Sequence, residues 1–175
     1  MFKKSLALLM SLFLVGCSNN ENENSPLGID PENPKDTANF IQESLYQDEV
    51  VKLVQFETTD GIEDAYDIGE EVRVFITQTG KIEQINFFNL EKEDIAGVLE
   101  VADFPVVDSI NNFLDENEDF HSTDVSYPNV MTQYHDVVLE VSAKSAGVKD
   151  MYGDKPFFLI LFYDPEKIDF IKQFN

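Results

Sequence analysis

The chain has 175 residues and a formal net charge of −22, from 34 acidic and 12 basic residues. So few basic residues exclude the electropositive surface that nucleic-acid-binding proteins need. Cys17 is the only cysteine, which excludes a disulfide framework and a multi-cysteine metal site. A hydrophobic fraction of 43% is ample for a globular core, and a chain of this length is expected to form one domain.

The first sixteen residues have the pattern of an export signal. Lys3 and Lys4 supply a positive start, and Leu6 to Val15 form an apolar run that only Ser11 interrupts. A membrane-spanning helix needs about twenty apolar residues, so this run is too short to cross a bilayer. The segment therefore predicts a secretory signal peptide.

The apolar run ends in Leu14-Val15-Gly16-Cys17, which resembles the lipobox of bacterial lipoprotein precursors. The resemblance covers only about the first twenty residues. It implies that Cys17 carries a thioether-linked diacylglyceryl group and that the precursor is cut between Gly16 and Cys17. It also implies anchoring by acyl chains on the extracytoplasmic side of the cell membrane or the outer membrane. An ordinary signal peptide with an incidental cysteine is the alternative.

A polar stretch separates this signal from the rest of the chain. Residues 18–35 are rich in Asn, Glu and Pro and have no apolar periodicity. Such a composition buries too little apolar surface to offset the entropy of ordering, which predicts a flexible tether at 17–35. The predicted organisation is a signal peptide at 1–16, the lipidated cysteine and tether at 17–35, and an acidic globular domain at 36–175.

The predicted domain begins with a helix and a strand. Asp36 is the predicted N-cap of a helix that ends at about Gln47. Its apolar residues recur at helical spacing: Ala38, Ile41 and Leu45. The β-branched residues of Val50 to Glu57 favour a strand, and the acidic stretch Thr58 to Glu70 is predicted to be a loop.

A β-hairpin and two short helices are predicted next. Glu71 to Thr77 and Ile82 to Leu90 alternate apolar and polar residues on either side of the turn Thr79-Gly80. Pro105 is then predicted to open the second of two helices. Their apolar positions at helical spacing are Ile95, Val98, Leu99 and Ala102, then Val106, Ile110, Phe113 and Leu114.

The last third of the chain predicts two strands and a helix. Tyr134 to Ser142 alternates, and Phe157 to Tyr163 is apolar throughout, as expected of a central strand covered on both faces. Asp164-Pro165-Glu166 is typical of a helix start, and Ile168, Ile171 and Phe174 follow at roughly helical spacing. The order of elements predicts an α+β domain with an antiparallel sheet of four or five strands and helices packed over it.

The sequence contains no catalytic motif. It lacks a Gly-x-Ser-x-Gly elbow and a phosphate-cradling glycine loop, and Arg73 is the only arginine that could clamp an anionic substrate. His121 and His135 have no cysteine partners, so a zinc site is not expected. The protein is predicted to be no enzyme and to hold no cofactor.

The acidic loop at 58–70 is the weak candidate for a cation site. Asp60, Asp64 and Asp67 lie close together in sequence, and carboxylate oxygens are ligands for hard divalent cations. Their spacing matches no rigid metal-binding pattern, so no metal is assigned.

The negative charge is concentrated in the middle of the chain. Between Lys92 and Lys144 there are twelve acidic residues and no Lys or Arg, whereas residues 144–175 hold five acids and five bases. One interpretation is solubility and repulsion from an anionic envelope. The other is an acidic face that steers a cationic protein or peptide to the domain.

The leading hypothesis is a lipid-anchored cell-envelope lipoprotein that works without catalysis, as a binding or accessory module with an acidic face. It meets the membrane through Cys17 and a cationic partner through the acidic face. Two alternatives are an inhibitor or immunity-type protein that neutralises a basic envelope enzyme or toxin, and a small hydrolase that uses carboxylates.

Replacing the cysteine tests the predicted anchor. We expect Cys17→Ser to release the protein from membranes or to leave an uncleaved precursor, because serine has no thiol to carry the thioether-linked lipid. Membrane fractionation with detection of the processed and unprocessed chain measures both outcomes. Normal processing with unchanged membrane retention would contradict the lipoprotein prediction.

Overall fold

The fold is built on one antiparallel sheet of seven strands, in the spatial order β1-β2-β3-β4-β7-β6-β5. The computed structural model describes residues 28–58, 61–120 and 128–163. The strands are β1 Val51–Thr58, β2 Gly61–Ile68, β3 Val72–Ile76, β4 Ile82–Leu90, β5 Asn129–Tyr134, β6 Val137–Ala143 and β7 Phe157–Phe162. The predicted signal peptide with Cys17, His121 and the predicted C-terminal helix lie outside the described residues.

Three longer helices and one short helix accompany the sheet in the described ranges. They are α1 Pro34–Leu45, α2 Lys92–Val101, α3 Asp108–Asn117 and the seven-residue α4 Ala146–Tyr152. Chain order places α1 before the first four strands and the α2–α3 pair between β4 and β5. No helix in the part of the chain that the structure describes is long and apolar enough to cross a membrane.

Apolar side chains form continuous rows across one face of the sheet. Val72 of β3 lies opposite Phe87 of β4, Phe87 lies opposite Leu159 of β7, and Leu159 lies opposite Val141 of β6. All four side chains are at most 1% exposed. Because directly paired residues of an antiparallel sheet share a face, the register itself assembles this core.

The helices cover that face, which we call the helix-covered face. Each of α1, α2 and α3 turns an apolar stripe toward the strands, and all belong to one core cluster. The Phe113 ring of α3, for example, lies 6.4 Å from the Phe157 ring of β7. The buried members of the stripes are Ala38, Ile41, Ile95, Val98, Leu99, Ile110, Phe113 and Leu114.

The opposite side of the sheet, which we call the second face, is mixed in character. One row runs across it through Asp67, Arg73, Asn86, Ile160 and Glu140, which pair in register from β2 to β6. The Arg73 guanidinium forms a bidentate ion pair with the Asp67 carboxylate, with Nε–Oδ1 and Nη2–Oδ2 distances of 2.6 and 2.9 Å. The second face is therefore mixed across its whole width. Toward β1 and β3 the Phe56 and Phe75 rings meet edge-on beside Arg73, and toward β6 and β7 Val138 and Phe162 form an apolar cluster.

The prediction of an α+β domain with an antiparallel sheet is confirmed, but the predicted number of four or five strands is wrong. The stretch Thr58 to Glu70, predicted as a loop, contains β2. There Tyr66 and Ile68 alternate on the helix-covered face, but the carboxylates of Glu63, Asp64 and Asp67 mask the apolar pattern in the sequence. β5 was not predicted either, and Tyr134 ends that strand instead of starting β6.

Two helix starts also differ from the prediction. α3 begins at Asp108 and not at Pro105, because the Phe104 amide donates to the Leu99 carbonyl at 2.8 Å to close α2 and the N-cap of α3, Val107, is extended. α1 begins at Pro34, with Asn33 as N-cap in place of Asp36. Proline suits this position because the first turn of a helix needs no amide donor.

Residues just before α1 belong to the folded domain. Ile29 is 1% exposed within the core, and the Ile82 amide donates to the Pro31 carbonyl at 2.8 Å. Thr37 Oγ1 accepts from the Asp30 amide at 2.9 Å. The packing of Ile29 thus extends the folded domain upstream of residue 36, into the stretch predicted as tether.

Candidate functional site

Exposed carboxylates are concentrated on α2, α3 and the short segments that follow them. Nine acidic side chains there are exposed, and we call this surface the acidic helix layer. Its members are Glu93, Asp94, Glu100, Asp103, Asp108, Asp115, Glu116, Glu118 and Asp119. The remaining acids of the acidic middle region lie elsewhere: Asp136 in the β5–β6 turn, Glu140 on the second face, and Asp124 outside the described residues.

The helical period explains why these acids share one surface. In α2 the apolar residues face the sheet, so the charged positions between them face outward, and α3 repeats the pattern. The two helices lie on the same sheet face, since both belong to the core of the helix-covered face. Their outward sides therefore form a single negative layer.

Only two lysines pair with this layer among the described residues. Lys92 at the start of α2 bridges to Asp115 of α3, and that hydrogen bond raises the pKa of Lys92. Lys155 Nζ lies 2.9 Å from Asp94 Oδ2. Ion pairs between exposed side chains contribute little to stability, because water competes for both charges. The other seven carboxylates form no ion pair within the described ranges.

The acidic residues at the end of α3 do not favour helix stability, unlike Asp108 in its first turn. Asp115 and Glu116 lie in the last turn and Glu118 is the C-cap, where the helix dipole favours positive charge, and no basic residue occupies that turn. Each misplaced carboxylate costs roughly 0.3–1 kcal/mol at an exposed helix end. The acids at this end of α3 therefore act against the local energetics of the helix.

A cleft of about 400 Å³ lies between the end of α1 and α2. Its polar lining is Tyr46, Glu71, Asn89, Glu93, Asp94 and Lys155. Burial, with the nearby Glu71 and Asp94 charges, raises the pKa of the Tyr46 hydroxyl above its ordinary value. The Asp94 carboxylate is held by the Glu91 amide at 2.8 Å and by Lys155 at 2.9 Å.

A buried lysine lies next to this cleft. Lys144 follows β6 directly and is fully buried, and its ammonium donates to the Phe88 and Gly153 carbonyls at 2.9 and 2.8 Å. It also lies 3.3 Å from Asn89 Oδ1. Burial, reinforced by the Lys149 charge, lowers the pKa of Lys144 to about 8. Through these hydrogen bonds the ammonium connects the end of β6 to the end of β4 and to the segment after α4.

Asn89 links the buried lysine to the cleft. Its Oδ1 accepts from the Lys155 amide at 3.1 Å, and its Nδ2 lies 3.4 Å from Glu71 Oε1. Gly153 packs against the Asn89 side chain, so closely that an added Cβ would lie 2.4 Å from Asn89 Oδ1. Its φ of +91° also favours glycine at this position. The cluster is thus tightly built, and in the described residues its bonds join segments of the chain that are distant in sequence.

The structure separates the residues of the predicted cation site. Asp64 and Asp67 are three residues apart on β2, so their side chains lie on opposite faces of the sheet. Asp67 is held by Arg73, and Asp64 accepts from Gln55 Nε2 at 2.7 Å. Asp60 lies outside the described residues. No group of three or more side chains suited to a metal ion occurs among the residues described.

Sequence reasoning located the acidic residues but missed the cluster around Lys144. His135, for which no zinc site is expected, is an exposed turn residue with a φ of +51°. Lys144, Asn89 and Tyr46 have no distinguishing sequence signal, since a lysine after an apolar strand is ordinarily solvated. Comparison with known proteins adds no relative, because no family model, curated protein or solved structure matches the chain.

The lowered pKa of Lys144 predicts a specific pH dependence of stability. Between about pH 8 and the ordinary lysine value of 10.5, the unfolded chain binds more protons at Lys144 than the folded chain does. Stability contributed by this group therefore rises with pH in that window and is lost as pH falls through 8. We expect the free energy of unfolding of the native protein to rise, relative to that of Lys144→Met, by on the order of 1–2 kcal/mol between pH 8 and 10.

Urea denaturation across this pH range measures the difference, with Lys52→Met on β1 as control. Lys52 is exposed, so the same change of charge and length should leave the pH dependence parallel to that of the native protein. If the free energy of unfolding of Lys144→Met also ran parallel to that of the native protein across this pH range, burial would not destabilise the charged form of Lys144.

Proposed function

We propose that this protein is a lipid-anchored lipoprotein of the cell envelope that binds a cationic protein or peptide through the acidic helix layer, without catalysis. The observation that carries the proposal is the set of nine exposed carboxylates on one helical layer, of which seven form no ion pair among the described residues. The anchor is proposed from the lipobox resemblance around Cys17.

Electrostatics supports binding at this surface. Charges at an exposed surface act over about 8–10 Å at physiological ionic strength, so neighbouring carboxylates sum into a local negative potential. Such a potential accelerates encounter with a basic partner and rejects acidic ones. The acids at the C-terminal end of α3 oppose the helix dipole, which supports a role other than helix stability for them.

The acidic helix layer is held in one conformation, which favours specific binding of a partner. α2 and α3 are anchored to the sheet by buried side chains, and the Lys92–Asp115 bridge joins one helix to the other. A rigid array loses little entropy when a partner binds. The inhibitor or immunity-type alternative uses the same surface and differs in one respect, which is whether the bound partner is an enzyme that loses activity.

The hydrolase alternative would use the carboxylates of the cleft beside α2. Glu71, Glu93 and Asp94 line that cleft, but Asp94 is committed to the Glu91 amide and to Lys155. Glu71 lies within 3.4 Å of the Asn89 amide that also contacts Lys144. These bonds hold Glu71 and Asp94 in structural contacts. We therefore favour binding at the acidic helix layer over catalysis in the cleft.

Charge reversal on the layer tests the proposed binding surface. We expect the triple variant Glu100→Lys, Glu116→Lys and Glu118→Lys of the full chain to bind octalysine at least about tenfold more weakly than the native protein at low ionic strength. Fluorescence anisotropy of a labelled peptide measures the affinity. High salt should abolish most of the difference, because screening removes the attraction.

A matched triple variant controls for net charge. Glu43→Lys, Asp48→Lys and Glu57→Lys change the charge by the same amount at exposed positions outside the layer. We expect this control to lose less than about threefold in affinity, because its charges lie farther from the bound peptide. Equal losses in the two variants would show that the protein attracts cations only through its overall charge.

A further inference from the structure

The cleft between the end of α1 and α2 has the size and the mixed lining of a small-molecule site. Its volume of about 400 Å³ falls within the range of about 300–1,000 Å³ that ligand pockets occupy. Leu45 and Val98 belong to the apolar part of the lining, and Tyr46, Glu71 and Glu93 belong to the polar part. A ligand with an apolar stem and a polar head would meet both kinds of surface.

A glycine that packing does not require keeps one wall of the cleft open. Gly97 lies in the interior of α2 and lines the cleft. Apart from proline, glycine is the least favourable residue inside a helix. An added Cβ at this position would lie 3.5 Å from Leu45 Cδ2, which is an ordinary van der Waals distance. Gly97 therefore weakens α2 while it leaves space in the cleft that a side chain would fill.

Two carboxylates that line the cleft form no ion pair in the described part of the chain. Glu71, just before β3, is half-buried, and Glu93 of α2 is exposed. Glu71 Oε1 lies 3.4 Å from Asn89 Nδ2, which is a long hydrogen bond. A carboxylate that is partly removed from water without a counter-ion is unfavourable. A positive group that enters the cleft is therefore stabilised.

Lys155 shows how an ammonium is held at this cleft. Its Nζ lies 2.9 Å from Asp94 Oδ2. That hydrogen bond, reinforced by the charges of Asp94, Glu71 and Glu91, raises the pKa of Lys155, so the surface favours the protonated form of an amine. With three carboxylates and one ammonium in its lining, the cleft has a net charge of −2.

We propose that the cleft binds a primary ammonium group carried on a short alkyl stem, with the ammonium at Glu71 and Glu93 and the stem against Leu45 and Val98. The three rotatable donors of an ammonium suit acceptors that come from separate elements better than the fixed fork of a guanidinium does. A free alkylamine and a lysine side chain of a bound protein share this chemistry. In the second form the site rests on the function proposed above and adds a pocket to the acidic helix layer.

Butylammonium, which reproduces the end of a lysine side chain, tests the proposal in the full chain carrying Cys17→Ser. We expect it to shift the backbone amide resonances of Gly97 and Lys155 in a saturable way. Glu71→Gln should weaken this binding by at least about fivefold, because it removes one charge and keeps the shape of the side chain. Glu57→Gln, the same change at an exposed position of β1, should weaken it by less than about twofold.

Tetramethylammonium controls for charge without hydrogen bonding. It has the same charge as butylammonium but no N–H donor, so we expect it to bind at least about fivefold more weakly.

A second variant fills the cleft. Gly97→Leu should weaken butylammonium binding by more than about tenfold and leave the melting temperature at or above that of the native protein, since leucine is the better helix former. Loss of binding with the melting temperature retained separates a filled cleft from a damaged fold.

Octalysine distinguishes the two sources of the ammonium. A loss of at least about threefold in octalysine affinity in Glu71→Gln would assign the cleft to a lysine side chain, and an unchanged affinity would assign it to a free amine. If butylammonium binds and octalysine does not, the proposed cationic partner is wrong and the amine site stands.

Three outcomes would overturn the amine site itself. The first is the absence of saturable shifts at Gly97 and Lys155. The second is equal binding of tetramethylammonium, which would mean that charge alone attracts the ligand. The third is an equal loss in Glu71→Gln and Glu57→Gln, which would assign the effect to the net charge of the protein.

Discussion

The rest of the structure depends on the insertion of β7 between β4 and β6. β1 to β4 pair in chain order, and β5 pairs with β6, so each set is a local antiparallel arrangement. β7 pairs with β4 on one side and with β6 on the other, which makes one sheet of the two sets. Because β7 follows the other six described strands in the chain, the two sets become one sheet only after β7 has been added.

The same insertion determines where the acidic helix layer lies. β4 is central in the sheet and β5 is at its edge, with β7 and β6 between them. The α2–α3 pair connects β4 to β5, and each helix contacts the strand at its own end of the connection. The connection therefore has to cross the sheet over β7 and β6. In crossing, it buries one side of each helix and presents the charged side to solvent.

The sequence predicts much of the local structure and little of the long-range arrangement. The hairpin of β3 and β4 and the strand β7 follow from period-two or continuous apolar patterns. β2 was missed because half-buried carboxylates on both of its faces mask the apolar alternation. The strand order has no local signal, since the pairing of β7 with β4 joins residues about seventy positions apart.

Of the candidate site, too, only a part could be predicted from the sequence. The acidic surface was predictable because charge is visible in the sequence and helical periodicity decides which side faces outward. The cluster around Lys144 was not, since two of its acceptors are the backbone carbonyls of Phe88 and Gly153, which any residue type would supply. Its depressed pKa likewise arises from burial, which is a property of the assembled fold.

Native-state hydrogen exchange tests the central claim, that β7 unites the two sets of strands into one cooperative sheet. We expect the amides of β4, β6 and β7 to exchange with the same, highest free energy of opening, and β2 and β3 to lose protection together with them. The claim would be contradicted if β1 to β4 stayed protected while β5, β6 and β7 exchanged through a separate opening of much lower free energy.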